Sequence, residues 1–310
     1  MTVAFATLIE RMGAELAAPV PEPVRAFAGE LARLGGEGVA AVLFYGSALR
    51  TEALDGVLDF YVLLGAPDAW PQSRLAAWAG ARLPPNVEYR EMEIDGVALR
   101  AKIAVMTLAQ FHRHAGRESL DTTIWARFAQ PAGLVWARDE AARASTRAAV
   151  ARAASTAAYW AAVLGPERGG PDDYWGALFR ETYATELRVD WKGRAGTIVG
   201  AGDPRYAELL PLAWAAGGIG FSSAGGVLAP ELDRAAGLQA WKSRRGLGKP
   251  LTIARLTKAV FTFAGAADYA AWKIERHTGV KIEMTPWRRR HPILAAPGVA
   301  WRLWRAGVLR

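Results

Sequence analysis

The stretch VLFYGSALRTEALDGVLDFYVLLG, residues 42–65, contains two apolar runs separated by a polar loop. The first run ends at Gly46 and Ser47, and the second run carries a single acid, Asp59, among apolar neighbours. Apolar runs of this length, bounded by glycine and polar residues, predict buried strands. A buried strand gains nothing from a lone carboxylate, because moving a charge out of water is costly unless it has a partner. The position of Asp59 therefore indicates a functional group.

The glycine–serine pair predicts a binding site for an anion. Between a strand and a helix, such a pair exposes backbone N–H groups, and glycine lets the backbone approach a phosphate closely. An acid on the next strand holds a magnesium ion against the same phosphates, and phosphoryl or nucleotidyl transfer needs both parts. We therefore interpret Gly46 and Ser47 as phosphate contacts and Asp59 as a ligand of Mg²⁺. Asp55, in the preceding loop, is a second candidate ligand.

Simpler interpretations of the same residues remain open: the bend is an ordinary turn, and Asp59 caps a neighbouring helix. Nucleotidyltransferases of the DNA polymerase β type also carry a second acid two positions after the first, where this chain has Tyr61. A second metal ligand must then come from another segment. Its candidates are Glu91, Glu93, Asp95 and Glu186.

Composition narrows the class of protein. The 310 residues include no cysteine, which excludes disulfides, thiolate metal sites and cysteine nucleophiles, and their net charge of +8 favours anionic partners. The N-terminal segment has neither the pattern of a secretory signal nor that of an Arg-rich transit peptide. No window reaches the ~18 uninterrupted apolar residues that a membrane span needs.

The organisation along the chain predicts an α+β protein. Residues 1–136 mix apolar strands, helical segments and a hairpin signal at Asp95–Gly96, and we expect them to form a nucleotidyltransferase (DNA polymerase β-like) domain with a mixed sheet. Residues 137–273 predict a mainly helical domain that begins with an alanine-rich helix ending at Gly165. The glycine-rich stretch at 215–230 lacks a dinucleotide-binding spacing and predicts a flexible loop. Residues 274–310 form a basic amphipathic tail.

Several segments, taken in order, resemble the mitochondrial-type phosphatidate cytidylyltransferase family. The resemblance covers residues 40 to 265 and rests on FYGSAL, which includes Tyr45, on VLDFYVLLGAPDAW and on LRAKIAV, and further on YATELRV and LTIARLTKAVFTFAG. The family likewise has no second acid at the position of Tyr61. This chain departs from the family pattern at Ala48, where the family has glycine, and at Glu186, where it has aspartate.

The resemblance implies that CTP and phosphatidic acid react on a membrane surface to give CDP-diacylglycerol and pyrophosphate, with Mg²⁺ as cofactor. It implies catalytic roles for Asp59, Lys102 and Lys258, the two lysines contacting phosphates of CTP or lipid. It also implies that Arg188 contacts the nucleotide together with Tyr45, Gly46 and Ser47, and that Glu186 is a further candidate metal ligand. From sequence alone, a solvated surface charge is the simpler interpretation of each basic residue, but the aligned context favours the phosphate role for Lys102 and Lys258.

The tail predicts contact with an anionic membrane surface. It has no acid after Glu283, and its arginines accompany tryptophans, a combination that suits the headgroup zone. The residues concerned are Trp287, Arg288, Arg289, Arg290, Trp301, Arg302, Trp304 and Arg305. Because two prolines interrupt the segment, we expect only a short helix near residues 298–308. A tail packed on the protein is the alternative, and the apolar residues of the tail favour lipid over nucleic acid as a partner.

Three functions are consistent with these patterns. The first is the phosphatidate cytidylyltransferase, located in the cytoplasm and peripherally associated with the inner face of a membrane. The second is a polymerase-β-type nucleotidyltransferase with a soluble acceptor, whose turnover would be indifferent to lipid vesicles. The third is a catalytically silent lipid-binding adaptor, which would bind vesicles without releasing pyrophosphate.

Overall fold

The computed structural model describes residues 2–51, 53–94, 96–185, 203–263 and 265–305. These residues form an α+β structure with a five-stranded mixed sheet and extensive helical regions, which confirms the predicted α+β class. The strands of the sheet are β1 (Val39–Tyr45), β2 (Val57–Leu64), β3 (Asn86–Ile94), β4 (Val97–Thr107) and β5 (Ala132–Ala137).

The order across the sheet is β3-β4-β2-β1-β5. Strand β1 runs antiparallel to both β2 and β5, β2 runs parallel to β4, and β3 runs antiparallel to β4. The two apolar runs of residues 42–65 are therefore neighbouring strands near the centre of the sheet, as predicted. The hairpin between β3 and β4 is also confirmed, and Gly96 has a φ of 77° at its turn.

Helices lie before, between and after the strands of the sheet in the chain. They are α1 (Val3–Leu16), α2 (Glu22–Gly35), α3 (Ser47–Thr51), α4 (Arg74–Arg82), α5 (Leu108–His114), α6 (Thr123–Phe128), α7 (Glu140–Leu164), α8 (Pro171–Thr185) and α9 (Pro204–Ala216). After the small sheet of β6 (Gly220–Ala224) and β7 (Val227–Glu231) come α10 (Arg234–Thr262), α11 (Ala266–Thr278), α12 (Pro286–Arg290) and α13 (Pro292–Arg305). A 3-10 turn, Gly36–Gly38, leads into β1.

Both faces of the sheet are covered, which explains the nearly continuous apolar sequence of β1 and β2. Alternate residues of β1 enter different clusters: Leu43 belongs to the cluster that includes residues of α1, α7, α8 and α9, while Val42 and Phe44 belong to the cluster that includes residues of α2. The first cluster joins the sheet to the helices that follow residue 137. The division into domains at residue 136 stays a prediction.

The alanine-rich helix follows the predicted pattern. Asp139 caps the N-terminus of α7 by accepting a hydrogen bond from the Ala142 N–H at 2.7 Å, and the helix ends before Gly165. Small side chains allow close packing, so α7 lies buried between the sheet and the later helices.

Two predictions about local structure are wrong. The glycine-rich stretch forms the hairpin of β6 and β7, because Gly225 and Gly226 adopt φ values of 55° and 81° that a tight turn between strands requires. The tail helix α13 begins at Pro292 and includes Pro297, whereas we expected a start near residue 298. Proline is tolerated in a first helical turn because that N–H has no intrahelical partner.

An ion pair fastens the long helix α10 to the sheet side of the molecule. The guanidinium of Arg255 donates to both carboxylate oxygens of buried Asp121, at 2.6 Å and 3.1 Å, and to the carbonyl oxygen of Pro84 at 2.9 Å. Burial acts to raise the pKa of Asp121, but the hydrogen bonds and charge of Arg255 outweigh it and hold that pKa below its usual range.

We expect Asp121→Asn to lower the free energy of unfolding at pH 7 by about 3 kcal/mol, because it removes the buried carboxylate that pairs with the half-buried charge of Arg255. A carboxylate with a lowered folded-state pKa stabilises the protein above its unfolded pKa of about 3.9 and loses that effect as the pH falls through the folded value. Urea unfolding should therefore show the two proteins converging in acid. A difference that stays constant with pH would contradict this role, and Glu30→Gln, in the exposed pair with Arg33, is the control that should change stability far less.

Candidate active site

The carboxylate of Asp59 lies at the end of the sheet where β1 ends. In the strand register, Asp59 of β2 pairs with Tyr45 of β1 on one side and with Lys102 of β4 on the other. Alternation along β2 puts Asp59 on the same face as Tyr61, which belongs to the cluster beneath α1 and α7. The register thus brings together three of the predicted site residues, Tyr45, Asp59 and Lys102.

The carboxylate is turned toward the glycine–serine bend. Gly46 has a φ of 96°, and a Cβ atom placed on it would lie 2.8 Å from Oδ2 of Asp59. Both the left-handed backbone and the lack of space require glycine at this position. Ser47 follows as the exposed first residue of α3. The structure therefore places Gly46, Ser47 and Asp59 in one site, which is the arrangement that the opening stretch predicted.

Two cations govern the charge around Asp59. Burial raises the pKa of the carboxyl above its usual range, while Lys102 and Arg127 act in the opposite direction. Arg127, near the end of α6, donates to the Tyr61 hydroxyl at 2.9 Å and lies 5.1 Å from the centre of the Tyr45 ring. Two cations from separate elements, β4 and α6, therefore act on this one carboxylate.

The sequence analysis missed two residues of the site. Arg127 is one, and Tyr269 of α11 is the other: burial raises the pKa of its hydroxyl, and the charge of Asp59 raises it further. The Tyr269 ring lies 5.4 Å from the ring of Tyr89 on β3 and 6.2 Å from that of Trp272. The spacing of Tyr269 and Trp272, three residues apart on one helix face, was the available signal, but nothing local connects it to β2.

Lys258 lies in a different part of the structure from Asp59. Its ammonium group donates to the carbonyl oxygens of Leu83 and Pro85, both at 2.6 Å, and to Oδ1 of Asn86 at 3.0 Å. Burial lowers the pKa of Lys258 to about 8. Asn86 pairs with Val105 of β4, three residues beyond Lys102, or about 10 Å along the strand. Lys258 supports the loop before β3, and its catalytic role stays a prediction.

The other candidate metal ligands are dispersed or not described. The exposed carboxylate of Asp55 lies 3.7 Å from the guanidinium of Arg276 on α11. Glu91 accepts a hydrogen bond from Tyr89 at 2.6 Å, and Glu93 is exposed. Glu186, Arg188 and Asp95 lie outside the described residues. Across the described ranges, no group of three or more histidine, aspartate or glutamate side chains is placed to hold a metal ion.

The tail exposes aromatic and basic side chains. Trp287 and Trp301 are more than half exposed, and Arg290, Arg302 and Arg305 are exposed. Arg289 is paired with Asp268 of α11 at 2.9 Å, while Arg288 donates to the Glu283 carbonyl oxygen at 2.6 Å. The helix that carries Trp304 is described, but that side chain lies outside the described residues. In the part of the chain that the structure describes, none of the helices has both the length and the apolar character needed to cross a bilayer.

Gly46→Ala is expected to lower the free energy of unfolding by about 1–3 kcal/mol, because alanine is strained at this φ and its methyl group would collide with Asp59. The matched control is Gly29→Ala inside α2, where a Cβ meets nothing within 4 Å and alanine should stabilise the helix by up to about 1 kcal/mol. Urea unfolding of both variants checks this. Equal effects at the two positions would contradict the geometry of the bend.

Comparison with known proteins does not assign a function to these residues. No protein-family model matches the sequence, and no curated protein matches it either.

Proposed function

We propose that this protein is a phosphatidate cytidylyltransferase that transfers the cytidylyl group of CTP to phosphatidic acid on a membrane surface. Its sheet would then be that of a nucleotidyltransferase of the DNA polymerase β type. The observation that carries the proposal is the approach of the Asp59 carboxylate to the Gly46–Ser47 bend. This arrangement puts a carboxylate and a backbone able to approach phosphate at the same end of two adjacent strands.

The charges around the bend support an anionic substrate. A triphosphate carries several negative charges. Lys102 and Arg127 are two cations close enough to Asp59 for their charges to act to lower the pKa of its carboxyl, so they also lie near the proposed phosphate position. Arg127 is held in place by its hydrogen bond to Tyr61 and by the Tyr45 ring. Cations fixed in this way stabilise charge on transferring phosphoryl groups without having to reorganise during the reaction. We assign Tyr45, Gly46, Ser47 and Arg127 to the nucleotide.

The described residues supply one carboxylate ligand for Mg²⁺ beside the bend, that of Asp59. Magnesium is commonly bound by one or two carboxylates together with substrate phosphates and waters, and Asp59 supplies one carboxylate beside the proposed phosphate position. Asp55 is engaged by Arg276 at the surface, and Glu186 lies outside the described residues. A bound magnesium ion would neutralise charge on the reacting phosphates. The remaining catalytic contribution comes from the chain itself.

The proposed reaction needs no general base. An oxygen of the lipid phosphate, already ionised near neutral pH, forms a bond to the α-phosphorus of CTP, and the bond from that phosphorus to the β-phosphate oxygen breaks. The products are CDP-diacylglycerol and pyrophosphate. Catalysis then depends on in-line positioning and on charge stabilisation by Lys102 and Arg127.

The lipid substrate requires contact with a bilayer, and the tail is the first candidate for that contact. Arginines on α12 and α13 lie among exposed tryptophans, and each cation near an anionic surface contributes about 1 kcal/mol. The proposed location is the cytoplasmic face of a membrane. The same surface accounts equally well for the lipid-binding adaptor, so activity is what separates the two functions.

Asp59→Asn should reduce formation of CDP-diacylglycerol by on the order of 10³-fold, because it removes the charge beside the triphosphate. Burial raises the pKa of Asp59, so its charged form destabilises the fold at neutral pH, and the neutral amide should leave stability unchanged or increased. Any stability gain should vanish below about pH 4, where the unfolded carboxyl is also protonated.

The measurements are lipid-product formation from labelled CTP and urea unfolding, with the exposed Glu37→Gln as control. An Asp59→Asn variant that forms CDP-diacylglycerol as fast as wild type would contradict the proposed role of Asp59, whereas a wild-type protein that binds vesicles without releasing pyrophosphate would favour the adaptor. Wild-type turnover of nucleotide that ignores phosphatidic acid vesicles would favour a soluble acceptor.

The double variant Arg288→Gln/Arg290→Gln is expected to weaken binding to phosphatidic acid vesicles about 30-fold, the effect of losing two cations at ~1 kcal/mol each. Binding should also weaken with added salt. Co-sedimentation with vesicles measures both effects, and the double variant Arg25→Gln/Arg33→Gln, at two exposed positions on α2, is the charge-matched control. Equal losses for the two variants would mean that net charge, and not the tail, determines binding.

A further inference from the structure

An apolar groove of about 330 Å³ runs between α4 and the C-terminal part of α10. Its apolar walls come from Leu75, Trp78 and Ala79 on one helix and from Phe261 on the other. Leu75, Trp78 and Phe261 are 55%, 56% and 69% exposed, which is unusual for three large apolar side chains that share one depression. This surface, which we name the α4–α10 groove, lies apart from the tail in the chain.

Basic side chains line the groove, and acids are missing from the two helices that form it. Neither α4 nor α10 contains aspartate or glutamate, whereas α10 contains seven lysines and arginines in its 29 residues. Arg82 and Lys258 line the groove, and the exposed Arg74 lies next to Leu75 at the start of α4. The partner that fits the groove is therefore apolar where it enters and negatively charged around it.

The rim of the groove has a pairing suited to a lipid headgroup zone. The guanidinium of Arg82 lies 4.3 Å from the centre of the Trp78 ring, one helical turn away. Indole and guanidinium groups both favour the boundary between headgroups and acyl chains. An acidic protein helix would satisfy the cations but would have to supply its own apolar side, whereas an anionic bilayer supplies both properties over a wide area.

We propose that the α4–α10 groove is a second membrane-docking surface, in which Leu75, Trp78 and Phe261 enter an anionic phospholipid bilayer. The inference rests on the proposed function for its choice of lipid, phosphatidic acid. Two separate contacts, the groove and the tail, fix the orientation of the protein on the surface better than one. They act together because the second contact forms at a high effective concentration once the first is made.

The absence of cysteine allows a direct test, because a single introduced thiol can be labelled without competition. Phe261→Cys, carrying an environment-sensitive fluorophore, is compared with Val3→Cys, which lies on α1 and is 85% exposed. On vesicles containing phosphatidic acid, the label at position 261 should shift to the blue and the label at position 3 should not. Vesicles of phosphatidylcholine alone should produce a much smaller shift.

A second variant tests the energetic contribution. Leu75→Ser/Trp78→Ser/Phe261→Ser, with the tail intact, should bind phosphatidic acid vesicles at least about tenfold more weakly than wild type, and Val3→Ser should bind as wild type does. All three side chains are largely exposed, so the variant should keep the fold, and its circular dichroism spectrum should match that of wild type.

Several outcomes would overturn the inference: no shift at position 261 on vesicles that the protein binds, unchanged vesicle binding by the triple variant, or a shift that depends on protein concentration without vesicles and indicates a second copy of the chain. Failure of the proposed function is a separate result, namely no CDP-diacylglycerol from a protein that still docks through the groove.

Discussion

The rest of the proposed site depends on one constraint, the placement of a carboxylate against a glycine bend at the end of a buried strand. Asp59 is the polar member of an otherwise apolar β2, and its Oδ2 occupies space that any side chain on residue 46 would need. Burial works against the charge, and Lys102 and Arg127 compensate it in part. A protein that only needed a stable sheet would have an apolar residue there.

The surrounding structure is organised so that this arrangement persists. Both faces of the central strands are covered, and the cations come from separate elements, Lys102 from β4 and Arg127 from α6. Arg255 and Lys258 attach helix α10 to the loop before β3 through hydrogen bonds to its carbonyl oxygens. Tyr269 of α11 lies close enough to Asp59 for the carboxylate charge to raise the pKa of its hydroxyl. Residues far apart in sequence thus surround the proposed anionic-ligand site. The same part of helix α10 also borders the groove beside α4, which Lys258 and the exposed Phe261 both line.

Much of this fold could be predicted because its signals are local. Apolar runs predicted β1 and β2, the Asp95–Gly96 signal predicted the hairpin, and the capped alanine-rich segment predicted α7. Asp59 was identified because a charge within an apolar run is costly and conspicuous. The hairpin of β6 and β7 was missed because its glycines obscure the alternation of its strands. The start of α13 was missed because Pro292 and Pro297 were both interpreted as breaks, whereas the helix begins at the first and includes the second.

The remaining residues could not be predicted because their roles arise from tertiary packing. Arg127 and Tyr269 reach Asp59 only after α6 and α11 pack beside the sheet, and no local pattern links them to β2. The sequence context of Lys258 indicated a phosphate ligand. Its contacts with Leu83, Pro85 and Asn86 depend on the packing of α10 against the loop before β3, which the sequence does not reveal.

The central claim is that the Asp59 bend binds a triphosphate and transfers its nucleotidyl group to a lipid phosphate. The most direct measurement incubates the purified protein with magnesium, phosphatidic acid vesicles and each of the four labelled ribonucleoside triphosphates in turn. The account predicts labelled CDP-diacylglycerol and pyrophosphate with CTP and no lipid product with the other three. Vesicle binding without a lipid product from any nucleotide would contradict it.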